Sequence, residues 1–191
     1  CWKKRCALMK KIILLIAIYF FINEVQASTK SNIISNLKKI DNLSFNFEQN
    51  INDKLERGNC IVHYPKKIFC RYNSSNQKIL VSNGQSLVIK TISSYYFYPL
   101  DKTPLNLILD KKFLIDNISK MRKKYEDSKF ISFEFKHDEN KVNIFFNKKN
   151  YNFMGWQTVD IYQNLSITYL TSVRTNLEID NDIFNLPKQN N

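Results

Sequence analysis

Glycine is scarce in this chain, with three residues in 191. Glycine-rich phosphate cradles need two or three glycines at close fixed spacing, so both common nucleotide-binding loops are excluded. Histidine is scarcer still. His63 lies beside a hairpin tip and His137 beside a turn, both positions expected to be solvated. There is no HExxH, no CxxC and no cluster of carboxylates that could cage a metal, and no Ser or Cys stands in a nucleophile motif. Asp160, in "TVDIY", is a lone strand carboxylate, a residue that more often serves a cross-strand hydrogen bond. No cofactor, no metal and no catalytic role are expected.

Long apolar runs are also missing, with one exception. Ile12 to Ile22 is apolar throughout, but at eleven residues it falls short of the roughly 20 that a membrane-spanning helix needs. Met9-Lys10-Lys11 precedes it and Val25-Gln26-Ala27 follows it. A short basic segment, an apolar segment and a small-x-small site form a secretory signal peptide rather than an anchor. Cleavage would leave Ser28 at the N-terminus. Residues 1–8 precede the start Met and are expected to be untranslated, which leaves Cys1 and Cys6 without a role. Residues 28–191 are then a single domain, large enough to bury roughly 70% of its unfolded surface.

Acidic residues are outnumbered, 17 against 29 basic ones. Without the leader the balance is 24 basic to 16 acidic, a net +8. The lysines are scattered rather than gathered in a stripe, and a secreted protein seldom meets nucleic acid, so no nucleic-acid partner is expected. Anionic membrane surfaces or acidic partners suit the charge better.

Two cysteines remain, Cys60 and Cys70, around "IVHYPKKIF". A hairpin centred on Pro65 would set them directly opposite, about 4.5–5.5 Å apart at Cβ and near disulfide reach. An oxidising compartment favours the bridge. Two buried thiols are the alternative.

The periodicity starts helical and then changes. Ser31 is a candidate N-cap, followed by Ile33, Ile34, Leu37 and Ile40 at helical spacing. From Leu43 the period is two: Leu43, Phe45 and Phe47 alternate with polar residues. Strands follow at 60–64, 68–72, 79–81, 87–92 and 95–98, with Asn83-Gly84 as a strong hairpin signal. Thr103 then reads as an N-cap with Pro104 in the first helical position. Leu105, Leu107, Ile108 and Leu109 supply apolar surface, and a further turn or two is expected near Phe113–Ile118. Strands return at 130–135, 142–146, 156–162 and 166–172, and Phe184 pins the tail to the core. Short turns between neighbours make an antiparallel meander.

Aromatics are what the chain has in plenty, 26 in all. They favour strands, and a strongly curved sheet capped by two helices can enclose a volume. If the helices do not fill it, a long apolar ligand can. Alternation places Leu43, Phe45 and Phe47 on one face, and is expected to turn Tyr95 and Phe97 toward the same concavity. Leu105, Ile108 and Leu109 would face it from the helix.

In chain order, "LSFNFEQ", "HYPKKIFCRY", "ILVSNGQSLVI", "YPLDKTPLNLIL" and "LEIDNDIFNLP" resemble the periplasmic outer-membrane lipoprotein carrier family, LolA. The likeness runs from about Ile33 to Pro187. It implies a mainly β fold with some α: an incomplete antiparallel β-barrel closed by an N-terminal helix and short lid helices. It also implies a monomeric periplasmic carrier of lipoprotein acyl chains. Such a carrier is loaded by an inner-membrane lipoprotein-releasing ABC transporter and unloads to an outer-membrane receptor or to the outer membrane itself. Tyr95–Tyr98 would line or edge the barrel, and Thr103–Leu109 would form the lid. One departure stands out. Family members place Arg before the hairpin proline as a latch to the lid, whereas this chain has Tyr64, and Arg71 lies in the next strand. The Tyr64 hydroxyl would be a weaker latch. The Cys60–Cys70 pair is not a general family trait. Two other readings share the sequence: a related envelope lipid-binding or sensor module that is not a shuttle, and a small periplasmic enzyme acting through Asp160 or His63.

Overall fold

The computed structural model describes residues 29–121, 125–137, 140–159 and 164–189, with the side chains of His137 and Asn140 excepted. The leader and Asp160 lie outside the described residues.

One antiparallel sheet of eleven strands, curved and open, carries the fold, as expected for a mainly β chain. Helix α1 occupies residues 29–38. Six strands follow: β1 (Asn42–Ile51), β2 (Lys54–His63), β3 (Lys67–Tyr72), β4 (Ile79–Asn83), β5 (Ser86–Lys90) and β6 (Tyr95–Pro99). Two helices, α2 (Leu105–Ile108) and α3 (Lys111–Lys120), interrupt the sheet. Then come β7 (Tyr125–Glu126), β8 (Phe130–His137), β9 (Asn140–Asn147), β10 (Phe153–Val159) and β11 (Leu165–Thr175).

The strand order is β6-β5-β4-β3-β2-β1-β11-β10-β9-β8-β7. Two meanders are therefore zipped together by the first and last strands, β1 and β11. The free edges, β6 and β7, fall in the middle of the chain. Residues 100–121 leave one edge and head for the other, and they carry α2 and α3 between them. The placement of the helices over the open side follows from this connectivity.

The hairpin at Pro65 has the expected register. Cys60 pairs with Cys70, and His63 with Lys67. A disulfide joins the two cysteines, whose Cα atoms are 4.1 Å apart. At Asn83-Gly84 the chain also turns as expected. Gly84 takes φ +102°, a conformation that costs glycine little, and the Asn83 carboxamide oxygen accepts from the amides of Gln85 and Ser86.

Three local expectations need correction. Helix α1 is already running at residue 29, so Ser31 lies inside it and is not its cap. Strand β2 starts six residues before Cys60: Lys54 to Asn59 has no apolar alternation, but full backbone pairing to β1 holds it extended. The turn between β1 and β2 is Asn52-Asp53, both at positive φ, which matches the twist of tight hairpins. The third concerns Phe184, which is buried, but on the convex side. There its ring meets His63 at 6.1 Å and lies under the Lys67 ammonium at 5.9 Å. His63 is consequently half-buried rather than solvated.

On the concave side the core is continuous. Phe133, Phe135, Phe146, Val142 and Ile144 are completely buried. Ile33 and Leu37 of α1 and Leu114 and Ile118 of α3 belong to the same cluster. Asn36 ties α1 to the β9–β10 turn through the Asn150 carbonyl at 2.8 Å. Phe113 of α3 meets Phe135 at 5.9 Å between ring centroids.

Candidate functional site

The other part of the concave face is not filled. A cavity of about 540 Å³ opens there, within the usual range of roughly 300–1,000 Å³ for ligand sites. Its walls are the inward residues of β1 to β5. Phe47, the Cys60–Cys70 pair, Ile68, Tyr72, Leu80, Leu87 and Ile89 form the greater part. Trp156 closes the side toward the filled core, and Lys102, Thr103, Pro104 and Leu105 form the rim.

A glycine shapes the wall. Gly58 pairs with Phe47 on one side and Tyr72 on the other. A Cβ there would overlap the Phe47 ring and the Arg71 carbonyl. Its absence lets the two rings meet edge-on at 4.9 Å above the strand, a favoured aromatic geometry.

One end of the cavity is polar. The Gln49 carboxamide nitrogen donates to Ser166 Oγ at 3.0 Å and to Thr168 Oγ1 at 3.1 Å. Its oxygen accepts from the Tyr72 hydroxyl at 3.4 Å. Lys78 lies over the Tyr72 ring at 4.1 Å and pairs with Glu56 at 2.7 Å. Burial, reinforced by the Glu56 charge, pushes the Tyr72 phenol well above the ordinary tyrosine range. The site thus offers a long apolar wall and a small, internally satisfied polar end. Among the described residues no group of His, Cys, Asp or Glu could hold a metal ion.

The expected site residues divide into three sets. Phe47 and Leu105 line the cavity, as do the disulfide and the rim residues Thr103 and Pro104. Leu43 and Phe45 are on the right face but buried in the core, where Phe45 meets Trp156 edge-on at 6.4 Å. Ile108 and Leu109 are likewise buried rather than exposed to the cavity. Tyr95 and Phe97 have the wrong parity. Leu87, which faces inward, pairs with Tyr98, and Val88, which faces outward, pairs with Phe97. Tyr98 lines the cavity and Phe97 stands 55% exposed on the other side. Four consecutive aromatics fit either parity, so only the pairing with β5 decides.

The rim also departs from expectation. Thr103 does not cap α2: its hydroxyl donates back to the Leu100 carbonyl at 2.8 Å, and Pro104 occupies the cap position. α2 is a single turn of four residues, held by packing Leu107 and Ile108.

The polar tie between the Pro65 hairpin and the helical segment was not visible in the sequence, which pointed only to Tyr64. Tyr64 is buried, and burial pushes its phenol above the ordinary range. Its part in the tie is its ring, which lies 5.7 Å from the Lys111 ammonium. The neighbouring Lys66 makes the polar link. Its amide donates to the Leu109 carbonyl at 2.9 Å, and its ammonium lies 3.6 Å from the Asp110 carboxylate. Asp110 in turn caps α3 by accepting from the Phe113 amide at 2.9 Å, and Lys111 donates to the Ile40 carbonyl at 2.7 Å. The hairpin and the α2–α3 segment are joined through residues 64–66 and 109–111. Of these residues Lys66 and Asp110 carry the opposite charges, a pairing that sequence distance hides.

A family model described as "Outer membrane lipoprotein carrier protein LolA" matches residues 38–187. No curated protein sequence matches the chain. Among solved structures, a LolA superfamily protein from Nitrosomonas europaea is similar at 10% identity, with 82% of this chain and 97% of that one covered and a TM-score of 0.47. LprF from Mycobacterium bovis gives 13% identity, 83% and 96% coverage and 0.46. The Mycobacterium tuberculosis lipoprotein LppX gives 8%, 82% and 99%, and 0.46.

Proposed function

The chain belongs to the family of outer membrane lipoprotein carrier proteins, LolA, and we propose that it works as one, a binding protein rather than an enzyme. It takes the acyl chains of lipoproteins released from the inner membrane by an ABC transporter. It carries them across the periplasm and gives them up at the outer membrane or to a receptor there. The observation that carries this reading is an apolar cavity of about 540 Å³ in a fold whose remaining concave face is packed solid. Each CH₂ withdrawn from water is worth roughly 0.8 kcal/mol, so an acyl chain needs such a shelter to cross an aqueous gap. The disulfide in the cavity wall suits an oxidising compartment.

Release is as necessary as capture. The lid is a four-residue turn, too short to be stable by itself, and its ties to the hairpin are a few hydrogen bonds worth about 1 kcal/mol each. A lid held this lightly can open when a better acceptor presents itself.

Two measurements test the reading. Mass spectrometry of protein purified from the periplasm should find acylated polypeptide bound to it. An apolar dye should bind in the cavity and be displaced by palmitate, and Phe47→Glu should abolish both. Protein that arrives empty, and binds neither dye nor palmitate, would refute the carrier role. A protein that binds palmitate but never frees a lipoprotein from transporter-bearing vesicles would be a lipid-binding module and not a shuttle.

A further inference from the structure

The edge strand β6 pairs with β5 along one edge and is largely exposed elsewhere. It ends the sheet, so nothing among the described strands pairs with its outer edge. Tyr96 and Tyr98 share the inward parity of Ile89 and Leu87, and Phe97 has the outward parity of Val88. All three stay exposed, as does Ile92 at 60% just before the strand. A soluble protein seldom leaves so many large apolar groups together without a partner for them. Tyr98 and the next turn also belong to the cavity rim.

Lys102 stands on that rim, exposed, and its ammonium has no hydrogen-bond or ion-pair partner among the described residues. Asp101 beside it is the one acidic group on this turn. The lysines around the lid, Lys66 and Lys111, are already engaged with Asp110 and Asp41. Without the leader, positive charges exceed negative ones by 8, 24 against 16.

We infer that the β6 edge, with Ile92, Tyr96, Phe97, Tyr98 and Lys102, is a docking edge for the surface of an anionic bilayer. Tyrosine rings suit the headgroup level, where one end of the ring is apolar and the other wet. Phenylalanine and isoleucine reach the acyl boundary, and a free lysine pairs with lipid phosphate. Because β6 borders the cavity, docking there sets the mouth against the membrane, so an acyl chain can pass between them without entering water. This placement rests on the carrier reading for its purpose, but the docking itself is independent of it.

The test is flotation of the full protein with two kinds of vesicle, phosphatidylcholine alone and phosphatidylcholine mixed with phosphatidylglycerol. The wild-type protein should float with the mixed vesicles and dissociate in high salt. Lys102→Glu should weaken binding by roughly fivefold or more, the worth of one near-surface lysine. Ile92→Ser with Phe97→Ser should weaken it on both vesicles and leave dye binding in the cavity intact, since neither residue lines the cavity. Circular dichroism and cavity dye binding confirm that the double variant is folded. Variants that float like the wild type overturn the inference, as does a wild-type protein that ignores both vesicles. Self-association through β6 without flotation also overturns it, in favour of a second strand as the occupant. A protein that docks on anionic vesicles but binds no dye upholds the docking edge while refuting the carrier reading.

Discussion

The two halves of the concave face are built from one sheet with one alternation, yet they differ in what lies on them. Over β8, β9 and β10 the inward residues include Phe133, Phe135, Phe146 and Trp156, and ten-residue α3 and helix α1 complete the packing. Over β2 to β5 most inward residues are smaller, among them Cys60, Ile68, Cys70, Leu80 and Leu87, and the α-helix that borders the cavity is one turn long. A filled half and an empty half follow from side-chain volume and helix length together. The filled half supplies stability, and that lets the empty half keep apolar walls without collapsing.

The largest expected difference is in the cost of truncation. Phe146→Ala leaves a void in close-packed surroundings and should cost about 3–5 kcal/mol. Leu87→Ala in the cavity wall should cost nearer 2 kcal/mol, the bottom of its range, because one side of that residue already lacks contacts. Urea unfolding of the two variants gives the comparison, and equal losses would break it.

The disulfide comes next. Cys60→Ser with Cys70→Ser should lower stability by roughly 2–3 kcal/mol through the short loop it closes. Amide exchange should show the change in β2 and β3, with β8 and β9 following only through global unfolding. Preferential loosening of β8 and β9 would mean that the halves are not separable in this way.

A smaller effect belongs to the lid. Asp110→Ala removes the cap of α3 and the partner of Lys66. The cap should account for about 1 kcal/mol. The pair, half-buried and 3.6 Å apart, adds little, since partly solvated ion pairs are worth under about 1 kcal/mol. The amides of Asn106 to Leu109 should exchange faster than those of Val88 to Lys90 already in the wild type, faster again in this variant, and slower once palmitate is bound. Unchanged protection on adding palmitate would make the helix merely structural.

The smallest effect is at alkaline pH. Tyr64 and Tyr72 are held neutral in the folded state by burial, with pKa values raised above the ordinary 10.0. Unfolded tyrosine gives up its proton near pH 10, and in the folded chain these two keep theirs. Above that pH the unfolded state binds fewer protons, so stability falls as pH rises. Phenolate absorbance should show two tyrosines that titrate only on unfolding. Titration of all tyrosines near pH 10 in folded protein would contradict their burial.

Much of this architecture was legible in local chemistry. The alternation of Leu43, Phe45 and Phe47 marks a strand wherever it is placed. Cys60 and Cys70 lie symmetrically about Pro65, and Asn83-Gly84 turns the chain at low steric cost. These signals depend on neighbours within a few residues. Other features do not. Lys54 to Asn59 is extended only because β1 lies beside it, and its own residues carry no strand pattern. The inward face of Tyr95–Tyr98 has no internal preference and takes its parity from Leu87 and Val88. Lys66 and Asp110 are 44 positions apart, and only the folded chain brings them to 3.6 Å.

The amino-acid sequence by itself determined most of the strands, the tight turns, the symmetric placement of Cys60 and Cys70 and the wealth of aromatics, because rotamer, hydrogen-bond and φ preferences act over a few residues. Tertiary structure decided which rings face the cavity, which residues tie the lid, and that one half of the concave face remains empty. Those outcomes depend on cross-strand register and on the total volume that two sheet halves and three helices must share, and no short stretch of chain encodes either quantity.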